Sequence, residues 1–397
     1  MRILIHALAW RQHGGSDRHL RGLLEALAKT TPDIEYVLFV DAGFDVANVY
    51  HNIIFRKVDA RSTWRRIWWD QVLLSRAAKA ERADAIWAVL GFGSAWQTIP
   101  QVIFLRNAIY YCDCHLATLS GRERSVMILR RWLQWLSLRT SHCIITPTAA
   151  MRNMVVDKHP DIPVARFTVI PHGFDPEELV DTEPLPAMAD KALAECNQSS
   201  LKILYVGHIL SYKQLDSLLE AFQKVCNTTN RSIKLLLTIA REDWQPGYDA
   251  FVRQVKKRGL EKSVQILGKI PQLAIGHLYR GCDVVAFPSL CESFGWPLVE
   301  ATSLGIPVLA ADTPVNREMA GEGALYFVSR DVTAAAEQLL KLLENEQLRA
   351  IVGAAGRAHF ERTQLTWPEY VQRCLEATFG IKARETETHH ERTRNRF

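Results

Sequence analysis

Two glutamates, Glu292 and Glu300, lie in the stretch PSLCESFGWPLVEATSLGIPV and are separated by seven residues. Ionised carboxylates accept hydrogen bonds from paired hydroxyl groups, so the two side chains could bind a sugar and a ribose of one ligand. For Glu300 the alternative is a charge near a helix N-terminus, which the helix dipole favours. That alternative gives no reason for Glu292, which comes earlier in the loop.

A second loop carries Lys213, within VGHILSYKQLDSLLEAF at 206–222. Gly207 ends an apolar run, and His208 and Lys213 precede a helix pattern that begins near Leu215. A lysine beside a helix N-terminus can hold a diphosphate. The alternative is an ordinary solvated lysine. Its position in the same half of the chain as the two glutamates favours the phosphate interpretation.

The elements that position these loops are compact apolar runs alternating with helix patterns, which predicts parallel sheets with helices on both faces. The predicted strands occupy 2–8, 35–40, 84–90, 100–106 and 142–148, then 201–207, 233–240, 263–268, 283–289 and 305–312. Ligands of such sheets bind outside the carboxyl ends of the strands. The predicted fold class is therefore α/β, with two Rossmann-like doubly wound domains facing a central cleft.

The length of 397 residues indicates two domains. The strand rhythm is interrupted by a segment rich in proline and acidic residues before position 200, where we place the boundary. The predicted divisions are an N-terminal acceptor domain, a linker, a C-terminal donor domain, a final helix packing back toward the N-terminal domain and a disordered tail: 1–180, 181–200, 201–362, 363–380 and 381–397.

Composition is that of a water-soluble globular protein, with 48% hydrophobic and 23% charged residues. No run approaches the roughly 18 apolar residues that a membrane span needs. The start MRILIHALAW is more typical of a first strand than of a signal peptide.

The eight cysteines are scattered, which is typical of free thiols in a reducing cytosol. Cys112, Cys114 and His115 form a C-x-C-H without a second ligand pair, so we expect no metal there.

The excess positive charge lies in residues 1–180, which carry 22 Lys and Arg against 17 Asp and Glu. This bias is too small for a nucleic-acid binder. A candidate amphipathic helix at 121–140 carries five arginines, with Trp132, Leu133, Trp135 and Leu136 as its expected apolar side. Together with Trp64, Trp68 and Trp69, its tryptophans could stack on sugars, sit at a membrane interface or form a buried face. We expect a cytoplasmic protein, and a basic amphipathic helix here would add a peripheral contact at the inner membrane face.

These motifs carry a family resemblance. The chain resembles the retaining nucleotide-sugar glycosyltransferases of the GT-B fold, specifically glycosyltransferase family 4 (glycosyl transferases group 1). Residues 206–222 are similar to that family's V-G-R-L-x-x-x-K-G-x-x-x-L-I-x-A-F, and 288–308 to its P-S-x-x-E-x-F-G-x-P-x-x-E-A-x-A-x-G-x-P-V. IPHGFD at 170–175 is similar to its I-P-N-G-V-D. The resemblance extends over nearly the whole chain.

The resemblance implies a role for each matching position. Glu292 would bind hydroxyls of the donor sugar, Glu300 the nucleotide ribose and Lys213 the diphosphate. Lys213 and Glu292 are thus the catalytic candidates. The other implied donor-binding residues, including the backbone amides of Phe294 and Gly295, are Gly207, His208, Ile270, Ser293, Phe294, Gly295 and Leu298. The implied acceptor and phosphate loop consists of Gly14, Gly15, Arg106 and Asn107.

The chain departs from the family pattern at three places. His208 stands where the family has an arginine, so a titratable group replaces a permanent cation. Gln214 stands where the family has a glycine after its lysine. Arg106 and Asn107 stand where a His-Asp pair is common, and we expect Arg106 to supply a cation from the opposite wall of the cleft.

The function that the resemblance implies is retaining transfer of a hexosyl-type sugar from a nucleotide-diphosphate sugar to a hydroxyl acceptor, in cell-surface glycan or polysaccharide biosynthesis. The chain contains no D-x-D sequence, so we expect neither a metal nor a cofactor. The expected partners are the donor and a glycan or lipid-linked acceptor. Two alternatives stay open: a catalytically degenerate partner or scaffold protein, and a nucleotide-sugar epimerase of the same fold. No G-x-G-x-x-G follows the first strand, which argues against an NAD-dependent enzyme.

Overall fold

The computed structural model describes residues 1–10, 14–44, 50–60, 62–180, 182–195 and 200–380. The predicted disordered tail at 381–397 lies outside this range, as do parts of the predicted linker. Within the described residues the chain forms two parallel sheets, each flanked by helices on both faces. The predicted fold class, two Rossmann-like layers facing a cleft, is confirmed.

The first sheet has seven parallel strands in the order β3-β2-β1-β4-β5-β6-β7. Its strands are β1 (Arg2–His6), β2 (Glu35–Asp41), β3 (Ile53–Val58), β4 (Ala85–Ala88), β5 (Gln101–Phe104), β6 (Cys143–Thr146) and β7 (Phe167–Val169). The α-helices between them are α1 (Gly14–Thr30), α2 (Thr63–Trp68), α3 (Leu74–Ala80), α4 (Asp113–Leu116), α5 (Gly121–Thr140) and α6 (Ala149–Lys158). A π-helical turn at Trp69–Leu73 joins α2 to α3.

The second sheet has six parallel strands in the order β10-β9-β8-β11-β12-β13. Its strands are β8 (Leu201–Tyr205), β9 (Ile233–Leu237), β10 (Val264–Ile266), β11 (Val284–Phe287), β12 (Val308–Ala311) and β13 (Ala324–Phe327). The α-helices are α7 (Ala187–Glu195), α8 (Leu215–Thr228), α9 (Gln245–Lys257), α10 (Ile275–Arg280), α11 (Trp296–Ser303), α12 (Pro314–Ala320), α13 (Val332–Glu344), α14 (Glu346–Thr363) and α15 (Trp367–Phe379).

The predicted strands are all present, and the three that sequence patterns missed are edge strands. β3 and β7 close the two sides of the first sheet, and β13 closes one side of the second. An edge strand has a neighbour on one side only and is less completely buried. β3 accordingly mixes Ile53 and Ile54 with the charged Arg56 and Lys57, so it lacks the continuous apolar run of a central strand.

The two helices at the ends of the second half pack against different halves of the chain. α7 lies inside the predicted linker, where its small residues Ala189 and Ala192 are buried in the C-terminal core. α15, in contrast, packs on α1 of the N-terminal half. Trp367 lies so close to Gly22 that a Cβ atom on Gly22 would be 2.2 Å from the indole ring. Trp87 also donates to Thr378 Oγ1 across 2.9 Å. The last described helix therefore joins the two halves at the back of the cleft.

The face that α5 buries differs from the one we expected. The helix begins in a capping box between Ser120 and Glu123, as its Ser-x-x-Glu start favours. Its buried residues are Gln134, Ser137 and Leu138. The first two are polar and bond to backbone carbonyls of Gly91 and Gly93. Because these carbonyls need donors, polar side chains occupy the buried face and Trp132 is left at the surface.

Candidate active site

A cavity of about 1710 Å³ lies between the two sheets, at the carboxyl ends of their strands. Both halves of the chain line it. Of the predicted site residues, those at the cavity wall are Gly14, Gly15, Arg106, Asn107, Gly207, His208, Lys213, Ile270, Glu292, Ser293, Phe294, Gly295 and Glu300. Leu298 is fully buried instead, and its side chain packs beneath Gly295. The tertiary structure thus gathers segments that are far apart in the sequence, since Gly14 and Glu300, 286 residues apart, share this wall.

Lys213 and Glu292 form an ion pair in this cavity. Lys213 Nζ lies 2.5 Å from Glu292 Oε1, and both side chains are mostly buried. The ammonium group also faces the rings of Tyr212 and Phe287, each centroid 5.6 Å away. Aromatic faces attract a cation without neutralising it. The lysine is therefore held at the cavity wall, where its carboxylate partner is also the residue predicted to bind the donor sugar.

Glu300 is buried at the start of the second turn of α11, which begins at Trp296. Its carboxylate accepts hydrogen bonds from the Tyr279 hydroxyl and from the Arg18 guanidinium. Burial, followed by the charge of Glu300, raises the pKa of Tyr279 well above its ordinary value. The macrodipole alternative is thus not needed, because Glu300 has specific partners.

Arg18 is the main site residue that sequence reasoning missed. It reaches from α1 across the cleft to Glu300, and its Nε also donates to Glu178 across 3.0 Å. The guanidinium lies over the rings of Phe174 and Trp296, 5.1 and 4.4 Å from their centroids. Burial alone would lower the pKa of Arg18, but the two carboxylates more than offset it and the pKa is raised.

The loop before α11 is shaped by Gly295 and tied to the other half of the chain by Ser293. Gly295 has φ +87°, a left-handed conformation that favours glycine, and it starts the helix. The Ser293 hydroxyl donates to the carbonyl oxygen of Arg106 across 2.7 Å. The Thr148 hydroxyl donates to the carbonyl oxygen of Ser293 across 3.0 Å. The Ser293 side chain therefore links the two halves of the chain, and its loop forms part of the cavity wall.

Gly14 and Gly15 of the implied phosphate loop lie in the first turn of α1, where each of them meets the second half of the chain. A Cβ on Gly15 would lie 2.8 Å from Trp296, so any larger residue there would displace the indole. Gly14 lies against His208, whose Nδ1 is 3.0 Å from Asp243 Oδ2. Asp243 is also 3.6 Å from Lys269 Nζ. The residue that replaces the family arginine thus has a buried carboxylate beside it.

Arg106 is half-buried at the opposite wall and lacks an acidic partner among the residues that the structure describes. Its guanidinium donates to His19 Nδ1 and, across 2.9 Å, to the Ser16 hydroxyl. Burial lowers the pKa of Arg106 to about 10, so the side chain is still cationic at neutral pH. Because Arg106 can only donate, His19 Nδ1 accepts, and its Nε2–H donates to the Tyr370 hydroxyl. The expected cation from the N-terminal wall is thus in the cavity.

Two buried histidines beside Arg106 predict a loss of stability in acid. Burial, followed by the charge of Arg106, lowers the pKa of His19 and His172 well below the ordinary value. In the unfolded chain both titrate near about 6.5, so below that pH the unfolded state binds more protons. Each histidine is expected to remove about 1.4 kcal/mol of unfolding free energy per pH unit, from about pH 6.5 downward.

This acid effect can be measured by denaturant unfolding between about pH 7.5 and 5.5. His172→Asn, which places the family's residue in IPHGFD, is the matched variant. Because carboxylates titrate equally in both proteins, the difference between their pH slopes isolates His172. Across this range we expect the variant to lose about 1.4 kcal/mol less of its unfolding free energy than the wild type loses. Identical slopes would contradict a buried neutral His172.

The backbone conformation at Gln214 accounts for the glycine that the family has after its lysine. Its backbone is left-handed, with φ +52° and ψ +37°, at the junction between the Lys213 turn and α8. Such a conformation costs a residue with a Cβ roughly 1–2 kcal/mol. Gln214 recovers part of that cost because its side chain donates to the carbonyl oxygen of Ser211 across 2.8 Å. The departure from the family pattern therefore keeps the loop's geometry.

Gln214→Val is expected to lower the free energy of unfolding by about 1–2 kcal/mol, because a β-branched residue tolerates this conformation poorly. Gln214→Gly is the matched control. It is expected to stay within about 1 kcal/mol of the wild type, since relief of strain offsets the added chain entropy. Urea unfolding of the three proteins checks this. Equal stability of the valine variant and the wild type would show that the turn is not strained.

Within the described ranges, no group of three or more His, Cys, Asp or Glu side chains could hold a metal ion. Cys112 and Cys114 lie with their sulfurs 3.3 Å apart, and both are free thiols. The described helices include none that is long and apolar enough to cross a membrane.

Two family models match the chain, one on each half. A model described as Glycosyltransferase Family 4 matches residues 13–178, and a model described as Glycosyl transferases group 1 matches residues 191–359. The first covers most of the seven-stranded sheet and the loop of Gly14. The second covers the six-stranded sheet with Lys213, Glu292 and Glu300.

Known proteins are similar to the chain in sequence and in fold. O-antigen chain mannosyltransferase B of Escherichia coli is 29% identical over 44% of each chain, and D-inositol 3-phosphate glycosyltransferase of Frankia alni is 30% identical over 54% of each chain. The match thus spans about half the length of these curated relatives. Among solved structures, Anabaena HepE in complex with UDP has a TM-score of 0.73 at 20% identity, covering 96% of this chain and 100% of that one. This last likeness concerns the fold.

Proposed function

The chain belongs to the GT-B glycosyltransferases of family 4, glycosyl transferases group 1, and from this we propose that it transfers a sugar from a nucleotide-diphosphate sugar to a hydroxyl acceptor. The observation that carries the proposal is the convergence of Lys213, Glu292 and Glu300 on one cavity. They come from the loops after β8 and β11 and from α11. A chance pair of glutamates would not share a cavity wall with a half-buried lysine.

In this proposal the three side chains divide the donor between them. Glu300 accepts hydrogen bonds from the ribose hydroxyls, and Glu292 accepts them from the sugar. Lys213 Nζ moves from Glu292 toward the diphosphate as the donor enters, so its charge is released when the ligand arrives. Arg106 faces the same cavity from the other wall and adds a second cation.

Departure of the nucleoside diphosphate develops negative charge on the leaving oxygen. A preorganised cation stabilises that charge in the transition state, so the leaving group needs no strong general acid. With Lys213 and Arg106 supplying positive charge, we infer that the transfer is metal-independent. Turnover is expected to persist after treatment with a chelator, and a loss that Mg²⁺ restores would contradict this inference.

We infer that the transferred sugar, of hexosyl type, keeps its anomeric configuration, because the chain has the glutamate and lysine motifs of the retaining enzymes that it resembles. ¹H NMR of the first product formed reports the configuration directly. An inverted product would overturn the inference without affecting donor binding. The relatives named for O-antigen and inositol phosphate glycosylation support an acceptor that bears hydroxyls, within glycan biosynthesis.

The experiment that tests the donor site is a thermal-shift panel of UDP-, GDP-, dTDP- and ADP-linked sugars. A ligand at about 100 times its dissociation constant adds roughly 2.7 kcal/mol of apparent stability. Glu300→Gln is the better variant because it keeps a side-chain oxygen that can accept a hydrogen bond from Arg18, which Glu300→Ala would remove. We expect one nucleotide class to stabilise the wild type and not the variant. Absence of a shift with every donor would favour a degenerate, scaffold-type protein.

A further inference from the structure

Each of the two sheets has a point where the order of its strands reverses. In the second sheet this point lies between β8 and β11, and the loops after these two strands carry Lys213 and Glu292. In doubly wound sheets, ligands bind at such a switch point, outside the carboxyl ends of the strands. The switch point of the first sheet lies between β1 and β4. The same rule therefore predicts a second binding crevice there.

A buried histidine bridges the switch point of the first sheet. His6 is the last residue of β1, and its Nδ1 lies 3.1 Å from the carbonyl oxygen of Phe92, in the loop after β4. Because a carbonyl oxygen can only accept, Nδ1 carries a proton and donates it. The imidazole also stacks on Trp69, with the ring centroids 5.3 Å apart and the planes within 6°. The ring is thus fixed in one orientation.

The other nitrogen of this histidine faces a buried carboxylate. His6 Nε2 lies 2.9 Å from Asp70 Oδ1, in an ion pair that does not have the geometry of a well-directed hydrogen bond. With Nδ1 already donating to Phe92, this charged contact needs a further proton between Nε2 and Oδ1, since two lone pairs would repel. Asp70 lies in the π-helical turn Trp69–Leu73, a backbone form that is frequent at functional sites. The pair therefore holds the carboxylate in place.

Asp70 also lines the cavity, although only 5% of it is exposed. Its Oδ1 faces His6, and its Oδ2 accepts no hydrogen bond from any residue that the structure describes. A largely buried carboxylate oxygen without a donor is costly, and most such atoms in proteins have a partner. A hydroxyl group of a ligand in the cavity can supply that donor. His6 does not line the cavity and acts from behind Asp70.

Two aromatic rings belong to the same part of the cavity wall. Phe92 and Tyr110 both line it, and their ring centroids are 6.0 Å apart. Arg106, from the same loop as Tyr110, accepts the hydrogen bond of Ser293 at its carbonyl oxygen, next to Glu292. The crevice therefore extends from Asp70 toward the donor loops. A carboxylate beside aromatic rings suits a sugar ring, whose hydroxyls donate and whose C–H faces are apolar.

We propose that Asp70 accepts a hydrogen bond from a hydroxyl group of the acceptor, that this acceptor is a sugar ring, and that His6 is the residue that positions Asp70. The proposal rests on the transfer function proposed above, to which it adds the class of the acceptor and the residue that binds it. A pair that only fastened the π-helical turn to β1 would stabilise the fold without any specific effect on the acceptor. Kinetics with separate donor and acceptor readouts distinguish the two roles.

The test is transfer to 4-nitrophenyl glycosides of glucose, galactose, mannose and N-acetylglucosamine, with the donor identified by thermal shift. Asp70→Asn keeps the side chain's size, but with its oxygen toward His6 it presents an N–H donor to the cavity. We expect kcat/KM for the glycoside to fall by about 10–100-fold, the usual effect of losing a hydrogen bond to a charged group. Donor KM and the donor-induced thermal shift are expected to stay within about twofold. Asp33→Asn, at an exposed aspartate before β2, is the matched control and should equal the wild type.

Two further variants separate positioning from folding. His6→Gln keeps a donor for Asp70 and is expected to retain more acceptor activity than His6→Ala, with donor KM unchanged in both. Phe92→Leu removes one ring without adding a polar group. It is expected to raise the acceptor KM alone, and it serves as the test if Asp70→Asn does not fold.

Four outcomes would contradict the proposal. Wild-type acceptor kinetics in Asp70→Asn, or in Phe92→Leu if Asp70→Asn does not fold, would exclude the binding role. Donor KM and acceptor KM that rise together would assign the pair to structure alone. A wild type that binds the donor but glycosylates none of the four probes would overturn the sugar acceptor and leave the proposed donor site standing. Absence of any donor-induced shift in the wild type would overturn the proposed function first, and this proposal with it.

Discussion

Lys213→Ala is expected to reduce turnover by about 10²–10³-fold, with a much smaller effect on donor affinity. The reason is that the negative charge on the leaving oxygen develops only during the reaction. A bound donor already has its diphosphate charges partly hydrated, whereas the leaving oxygen gains charge only as the bond to the sugar breaks. A cation that leaves Glu292 for the diphosphate and stays beside the rings of Tyr212 and Phe287 therefore acts mainly in the transition state.

The kinetic test is steady-state turnover and donor KM with the donor identified by the thermal-shift panel. Lys224→Ala, which removes an exposed lysine of α8, is the control and should be unchanged. A double variant with Glu292→Gln separates two roles for Lys213. If the lysine only positions Glu292, the double variant will be no slower than Glu292→Gln alone. A Lys213→Ala enzyme with wild-type turnover would exclude the proposed charge stabilisation altogether.

Arg18→Ala is expected to lower the free energy of unfolding by about 3–5 kcal/mol. The guanidinium is buried between two rings and bonds to Glu300 and Glu178. Without it, Glu300 is a buried carboxylate with Tyr279 as its remaining donor in the described structure. An uncompensated buried charge is far more costly than the loss of an exposed ion pair.

Arg21→Ala is the matched control on the same helix, because Arg21 pairs with Asp17 in an exposed i,i+4 bridge. That pair contributes less than about 1 kcal/mol. Adding Glu300→Gln to Arg18→Ala should recover part of the lost stability, since the uncompensated charge is then removed. Chemical denaturation of the four proteins measures these differences. If Arg18→Ala is no less stable than Arg21→Ala, the buried pair does not hold the two halves together as the structure indicates.

Local chemistry allowed the central strands and the active-site loops to be predicted. A strand buried on both faces needs a continuous apolar run, and the loops of Lys213 and Glu292 follow such runs directly. The sequence patterns did not predict the edge strands β3, β7 and β13. One side of each lacks a neighbouring strand, which relaxes the need for a continuous apolar run. The same limit applies to α5, where the buried face is set by the carbonyls of another loop and not by the helix's own hydrophobicity.

The sequence by itself determined the fold class and the family and singled out the residues that we propose bind the donor, because each of these depends on short patterns within single elements. The tertiary structure alone decided that Arg18 reaches Glu300 and that Ser293 bonds to Arg106. Each of these contacts joins residues far apart in the chain. They depend on how the two sheets are placed relative to one another, and no periodicity within a single segment carries that information.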